Sequence, residues 1–88
     1  MVAPCMIQLY IREECPFCQK VLRHIAAAGI SDEVEVVDAS AGTAGRKVVL
    51  EKGGKGQVPF LVDGELSMYE SDDIIAHLKD KFPRESPA

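Results

Sequence analysis

Apolar and polar positions divide the first half of the chain into a strand, a helix and a second strand. An apolar, β-favouring run over residues 5–11 predicts a central strand. A helical pattern follows, and its apolar residues recur on one stripe: Val21, Leu22, Ile25 and Ala28. The alternating residues 33–37 predict a second strand with one polar face. This order has the size of a βαβ unit, so the two strands are expected to be parallel.

The second half predicts a helix and a β-hairpin. Thr43 is a residue type that caps helix N-termini, and the helix that it opens is expected to end at Gly53-Gly54. Asp63-Gly64 then lies between two short apolar runs. This pattern predicts a hairpin, because glycine accepts the positive φ that such a turn requires.

A last helix is predicted to begin at Ser71, a capping residue type that acidic residues follow in the first turn. Its apolar stripe comprises Ile74, Ile75, Leu78 and Phe82. The resulting order β-α-β-α-β-β-α predicts an α/β fold with a mixed sheet and helices packed on it. We expect one domain over residues 1–83 and a disordered tail over residues 84–88.

Composition and charge exclude several classes of function. The chain has 88 residues and a mass of 9.6 kDa, which leaves room for one domain. Its formal charge of -4 and pI near 5.0 argue against binding to a nucleic-acid backbone. No apolar run approaches the roughly 18 residues of a membrane span, and residues 1–4 lack the basic start of a signal peptide. We therefore expect a cytoplasmic monomer with neither a nucleic-acid nor a membrane partner.

Two of the three cysteines stand at the start of the first predicted helix. With Cys15 at the N-cap, Pro16 takes the first helical position, where its missing N–H is no loss. The free N–H groups and the helix dipole favour a thiolate at Cys15, so we expect its pKa to lie below that of free cysteine. Cys15 is predicted to attack a disulfide, and Cys18 or an outside thiol to resolve the mixed disulfide.

The Cys-x-x-Cys spacing has a metal-binding alternative. Zinc takes about four ligands, and the sequence offers no second Cys or His pair. His24 and His77 stand alone and are expected on solvated helix faces, and Cys5 lies in the first predicted strand. The strand before the helix favours thiol–disulfide chemistry over a metal site, so we expect no bound metal.

Three motifs resemble the glutaredoxin family. Residues 12–18, Arg-Glu-Glu-Cys-Pro-Phe-Cys, are similar to its active site, whose usual form is Cys-Pro-Tyr-Cys. Residues 57–59, Gln-Val-Pro, resemble its Thr-Val-Pro segment, and residues 71–73 resemble the motif that opens its last helix. The resemblance spans residues 6–82. It implies a thioredoxin fold with a four-stranded mixed sheet, three flanking helices and a cis proline that faces the first cysteine.

The resemblance also implies a binding site for glutathione as co-substrate, with no tightly bound cofactor. The backbone of Val58 would pair with the cysteinyl part of glutathione, and Ser71 and Asp72 would hold its γ-glutamyl end. Arg12 matches a basic position that supports the thiolate or the glycyl carboxylate. The other residues expected at this site are Phe17, Gln57, Pro59 and Glu70.

The last motif also has a second likeness. Glutaredoxins commonly carry Gly-Gly before it, whereas this chain has Tyr69-Glu70. Glu70-Ser71 is instead similar to the Glu-Ser pair with which the N-terminal domains of glutathione S-transferases grip the γ-glutamyl group. The second half therefore has transferase-like features, although we expect no second helical domain to supply an electrophile pocket.

The function implied by the resemblance is a glutathione-dependent thiol–disulfide oxidoreductase. Its substrates would be protein disulfides or glutathionylated proteins. Two alternatives stay open. One is an iron–sulfur carrier in which two chains bridge a cluster through Cys15 and glutathione. The other is a redoxin that thioredoxin reductase, rather than glutathione, supplies with electrons.

Overall fold

The computed structural model describes residues 7–82, which form a four-stranded sheet with helices on both faces. The strands are β1 (Ile7–Ile11), β2 (Val34–Asp38), β3 (Phe60–Asp63) and β4 (Leu66–Met68). The helices are α1 (Pro16–Ala28), α2 (Ala44–Gly53) and α3 (Ser71–Lys81), with a 3-10 turn at Ser31–Glu33. The expectations for Cys5, residues 1–4 and residues 84–88 lie outside the described residues.

The strand order is β2-β1-β3-β4. β1 runs parallel to β2 and antiparallel to β3, and β3 pairs antiparallel with β4. This mixed sheet with its α-helices is a thioredoxin-like fold, which confirms the predicted fold class and element order. Within residues 7–82, no helix is long and apolar enough to cross a membrane.

The two faces of the sheet bury separate apolar cores. On one face, Leu9 and the other odd-numbered residues of β1 pack with α1 and α3. On the other face, Tyr10 packs with Phe60 and with Val49 of α2. This alternation follows from the period of two along a strand. The apolar stripes predicted for the first and last helices supply the first core.

The caps of α1 and α2 agree with the sequence. Cys15 is the N-cap of α1, and Gly29 ends the helix with a φ of 70°. Thr43 is the N-cap of α2, where its Oγ1 accepts the N–H of Arg46 at 3.2 Å. α2 ends at Gly53-Gly54 as predicted, with Gly54 in the left-handed region.

α3 begins at Ser71 as predicted, but Ser71 is not its capping residue. Glu70 is the N-cap, and Ser71 is the first residue of the helix. The Ile74 N–H donates to the Glu70 carbonyl at 2.9 Å, as expected for a helix whose first residue is Ser71. Ser71 is buried rather than at an open helix end, with 9% of its surface exposed.

β2 departs from the predicted pattern of one polar face. Val34 is buried in the first core, but Val36, on the same face, is 46% exposed. Val37 packs partly against the second core. The reason is position, since β2 is an edge strand flanked only by β1 and its outer side has incomplete cover.

The hairpin turns at Gly64, whose φ is 62°, as the Asp-Gly pattern predicts. Asp63, the last residue of β3, lies 2.8 Å from His77 Nε2 and accepts a hydrogen bond from Lys81 Nζ at 2.9 Å. The prediction that His77 lies on a solvated helix face is therefore wrong. His77 ties α3 to the sheet.

Candidate active site

Cys15 lies where the start of α1 meets the loop before β3. Its Sγ accepts the N–H of Cys18 at 3.3 Å, as expected of an N-cap side chain. Its thiol also lies 3.8 Å from the carbonyl oxygen of Val58, to which it donates. As the N-cap residue, Cys15 places its sulfur at the positive end of the helix dipole. The residue is only partly buried, so the sulfur remains within reach of a ligand.

Cys18 occupies a different environment one turn into α1. It is fully buried, and neither cysteine is in a disulfide bond. Burial raises the pKa of the Cys18 thiol to about 12, and its hydrogen bond with Cys15 adds to the increase. The nearby Arg12 opposes this shift only in part. Cys18 is therefore a protonated thiol at neutral pH, next to the sulfur of Cys15.

A groove of about 200 Å³ adjoins this pair of thiols. It is lined by three segments that are far apart in the sequence. The lining residues are Phe17, Gln57, Val58, Pro59, Glu70, Ser71 and Asp72. The fold thus brings together every residue expected to contact glutathione except Arg12.

The middle segment of the groove is held by its backbone. The Val58-Pro59 peptide bond is cis, in agreement with the implication of the resemblance. Arg46 donates to the carbonyl oxygens of Ala39 at 2.9 Å and Gly56 at 3.0 Å. These bonds fasten the loop before Pro59 to the end of β2, so Arg46 is a positioning residue.

Tyr69 fixes the same loop from the other side. Its hydroxyl donates to the Lys55 carbonyl at 2.9 Å and accepts the Lys55 N–H at 3.1 Å. The positioning roles of Arg46 and Tyr69 were not predicted from the sequence. No motif signals them, because each side chain binds backbone groups that any residue type would present.

The third segment carries an unusual backbone conformation. Glu70 has a φ of 20° and a ψ of 115°, outside the regions that residues with a Cβ commonly adopt. Gln57 Nε2 donates to Glu70 Oε2 at 3.4 Å, which links two sides of the groove. Strained residues of this kind cluster at binding sites, and Glu70 lies in the lining of the groove.

Asp72 already has a cationic partner. Its carboxylate forms an ion pair with Lys20 Nζ, which joins α3 to α1 across 52 residues of sequence. Lys20 was not among the residues predicted at the site. An exposed lysine on a helix has no local signal for a partner this distant, so only the packing of α1 against α3 reveals it.

Arg12 lies beside the thiols rather than in the groove. Its carbonyl accepts the N–H of Cys15 at 3.2 Å, and its Nη2 lies 3.9 Å from Glu14 Oε1. Its backbone hydrogen bond, and to a smaller extent its charge, lower the pKa of Cys18 against the dominant effect of burial. Its contact with Cys15 is made by the backbone, so both expected side-chain roles of Arg12 stay predictions. In the part of the chain that the structure describes, no group of three or more His, Cys, Asp or Glu side chains is arranged to hold a metal ion.

Comparisons with solved structures agree with this fold. Glutathione transferase Omega 3C from Trametes versicolor is 26% identical, with a TM-score of 0.81, and the match covers 97% of this chain and 37% of that one. Glutaredoxin 2 from Salmonella typhimurium, in complex with glutathione, is 26% identical with a TM-score of 0.71, over 85% of this chain and 33% of that one.

A dehydroascorbate reductase from Chlamydomonas reinhardtii is 27% identical with a TM-score of 0.65, over 91% of this chain and 40% of that one. The chain thus spans between 33% and 40% of the lengths of these three proteins. No curated protein sequence matches it. A model of the glutathione S-transferase N-terminal domain matches residues 9–86. The chain therefore belongs to the family of glutathione S-transferase N-terminal domains.

Proposed function

We propose that the protein is a glutathione-dependent thiol–disulfide oxidoreductase that reduces glutathionylated proteins and protein disulfides. The observation that carries this proposal is the pair of unequal thiols at the start of α1, beside a groove built from the expected glutathione-binding residues. Family membership and the glutathione complex of the related glutaredoxin support glutathione as the ligand. The proposed setting is the cytoplasm, whose glutathione pool keeps such thiols reduced, and the proposed active species is a monomer.

The first proposed reaction uses Cys15 alone. Its thiolate attacks the glutathione sulfur of a mixed disulfide, forms a Cys15–glutathione disulfide and releases the protein cysteine as a thiolate, which takes up a proton. A second glutathione thiolate then attacks the glutathione sulfur of this intermediate. Oxidised glutathione leaves, and the Cys15 thiolate is regenerated. The N–H of Cys18 stabilises that thiolate by donating to Sγ.

The second proposed reaction also uses Cys18. Cys15 attacks one sulfur of a protein disulfide and releases the other sulfur as a thiolate. Cys18 then gives its proton to this leaving group and attacks the Cys15 sulfur. A Cys15–Cys18 disulfide forms, and the second protein sulfur leaves as a thiolate that takes up a proton from solvent. Two glutathione molecules reduce the Cys15–Cys18 disulfide, leave together as oxidised glutathione and return that proton to solvent. Because burial keeps Cys18 protonated until this step, Cys15 is the thiol that attacks first.

The proposed glutathione pose follows the lining of the groove. The backbone of Val58 lies next to the Cys15 thiol, which suits pairing with the cysteinyl part of glutathione. Ser71 and Asp72 lie at the N-terminus of α3, where N–H groups favour the γ-glutamyl carboxylate. Lys20 pairs with Oδ1 of Asp72, and the other carboxylate oxygen, Oδ2, is proposed to accept the glutathione ammonium. Gln57, Pro59, Glu70 and Phe17 complete the walls.

Single-cysteine variants test the proposal. We expect Cys15→Ser to reduce a glutathionylated peptide no faster than the uncatalysed exchange, because the nucleophile is gone. Cys18→Ser is expected to retain this activity and to lose turnover of an intramolecular protein disulfide. Both rates are measured by coupling oxidised glutathione to glutathione reductase and following NADPH consumption.

The matched control is Cys5→Ser, which removes the remaining thiol of the chain and should leave both rates unchanged. Disulfide reduction that survives in Cys15→Ser would overturn the assignment. If the wild type instead transferred glutathione to an aryl halide, and Cys15→Ser still did so, a transferase that activates the glutathione thiol would replace it.

A further inference from the structure

A second concavity lies at the carboxyl ends of the two parallel strands. It has a volume of about 430 Å³ and shares no lining residue with the groove beside Cys15. We name it the β2-edge groove, and its lining residues are Ile11, Glu13, Val36, Asp38 and Ser40. Ile11 and Asp38 are register partners at the last positions of β1 and β2.

The floor of the β2-edge groove is aliphatic. Ile11 is nearly buried and Val36 is 46% exposed, so a branched apolar surface faces solvent beside the active-site loop. The edge position of β2 explains why no helix of the described chain covers Val36. An aliphatic chain laid on this floor would remove Val36 from water and would be favoured by the hydrophobic effect.

The rim of the β2-edge groove is acidic. Asp38 accepts the Ser40 hydroxyl at 2.7 Å and the Ser40 N–H at 3.1 Å, which lowers the pKa of its carboxyl and keeps it ionised. Glu13 lies on the active-site loop. None of the ion pairs within residues 7–82 involves Glu13 or Asp38. Arg12, next to Glu13 in the sequence, pairs with Glu14 instead. Among the described residues, the two carboxylates at this rim therefore have no ion-pair partner.

We propose that the β2-edge groove binds a lysine or arginine side chain of the glutathionylated protein substrate. Both side chains combine an aliphatic stem, which fits Ile11 and Val36, with a cationic head, which fits Glu13 and Asp38. The inference rests on the proposed function and names its substrate class as proteins with a basic residue near the modified cysteine. The charge of the rim repels an acidic residue at the same place.

The spacing along the active-site loop sets how far the basic residue lies from the modified cysteine. Glu13 precedes Cys15 by two residues, a separation of at most about 7 Å between their Cα atoms. An extended substrate advances about 3.3 Å per residue. A basic residue two to four positions from the glutathionylated cysteine therefore reaches the groove while its disulfide lies at Cys15.

The test compares glutathionylated peptides that differ at a single position. Each peptide carries one modified cysteine among Gly and Ser residues, with Lys, norleucine or Glu placed three positions before or after it. Norleucine keeps the aliphatic stem and lacks the charge. We expect the wild type to reduce the Lys peptide with a kcat/KM about three- to fivefold higher than the norleucine peptide, on one side of the cysteine, and the Glu peptide most slowly. Added salt should reduce this preference.

Charge-neutral variants then locate the preference. In Glu13→Gln/Asp38→Asn, the Lys-to-norleucine ratio should fall to about one, because the exposed pairs that produce it are gone. The matched control, Glu51→Gln/Asp80→Asn, removes two exposed carboxylates from α2 and α3 and should keep the ratio of the wild type. Because each ratio compares two substrates on one enzyme, a loss of folded protein does not alter it.

Equal rates for Lys and norleucine in the wild type would overturn the inference, as would a preference that survives in Glu13→Gln/Asp38→Asn. Neither result touches the proposed function, which requires only that the peptides are reduced. If the wild type reduces none of them, the proposed function fails and peptide affinity is measured by fluorescence polarisation instead. Tighter binding of the Lys peptide than of the norleucine peptide would then support the groove, and equal binding would reject it.

Discussion

At the scale of single residues, Cys15 and Cys18 have the same side chain and opposite surroundings. Cys15 is an N-cap whose sulfur accepts a backbone N–H and lies near the groove. Cys18 is fully buried, and burial together with the neighbouring Cys15 raises its pKa to about 12. The thiolate is the reactive form of cysteine, so in the proposed reactions Cys15 is expected to react before Cys18.

Alkylation tests that order directly. At pH 8 a thiol with a pKa of about 12 is ionised in on the order of one molecule in ten thousand, so iodoacetamide should modify Cys15 and spare Cys18. Trypsin releases both cysteines on the peptide 13–20, and fragmentation by tandem mass spectrometry separates the two sites. Cys18 should stay unmodified in Cys15→Ser as well, because burial is the larger cause. Comparable labelling of both cysteines would contradict the raised pKa.

At the scale of elements, α2 approaches the sheet at a glycine. Gly45 is buried against the end of β2, and a Cβ there would meet the backbone carbonyl oxygen of Asp38. It would also lie 3.1 Å from Val37 Cγ1. A backbone oxygen cannot rotate aside as the end of a side chain can, so the close approach of α2 requires glycine at this position.

Gly45→Ala should therefore destabilise the protein. Helix propensity alone would favour alanine by at most about 1 kcal/mol, whereas overpacking costs about 1–3 kcal/mol. We expect a net loss of about 1–2 kcal/mol in the free energy of unfolding, measured by urea denaturation. Lys47→Ala, at an exposed position of the same helix, is the control and should change it by less than about 0.5 kcal/mol. A more stable Gly45→Ala variant would show that α2 can move away from β2.

At the scale of the whole molecule, one carboxylate ties the hairpin to the last helix. The Asp63 side chain is only 9% exposed and has Lys81 and His77 as partners. The hydrogen bond from Lys81 is the largest cause that lowers the pKa of Asp63. A carboxyl whose pKa is lower in the folded state stabilises the fold at pH values above its unfolded pKa. That contribution is lost as the pH falls through the folded pKa.

Asp63→Asn should show this dependence. At pH 7 the variant is expected to lose about 1.5–3 kcal/mol of unfolding free energy, because charge-assisted bonds to a mostly buried group are removed. The difference from wild type should shrink as pH falls below 3.8, the ordinary value for this group, since the wild-type carboxyl then becomes protonated. Urea unfolding of both proteins over a series of pH values measures this difference in unfolding free energy. Asp80→Asn, an exposed carboxylate on α3, is the control, and a difference that does not change with pH would refute the assignment.

Local patterns determined much of this protein. The type and order of the elements, the caps at Cys15 and Thr43 and the turn at Gly64 all follow from residues within about four positions of one another. The prediction that Pro59 lies at the site rested on the resemblance to a family, since no property of that segment by itself indicates that it lies near the thiols. The N-cap at Glu70 was not predicted, because Glu70 makes no side-chain capping bond and glutamate is not a preferred capping residue.

Tertiary structure decided which distant residues meet. The Cys15 thiol contacts Val58 across 43 residues, and Lys20 meets Asp72 across 52. The exposure of Val36 and the groove beside it depend on β2 lying at the edge of the sheet. Helix caps and turns are short-range interactions that a local sequence specifies. Contacts between segments depend instead on sheet order, register and helix packing, which the chain as a whole determines.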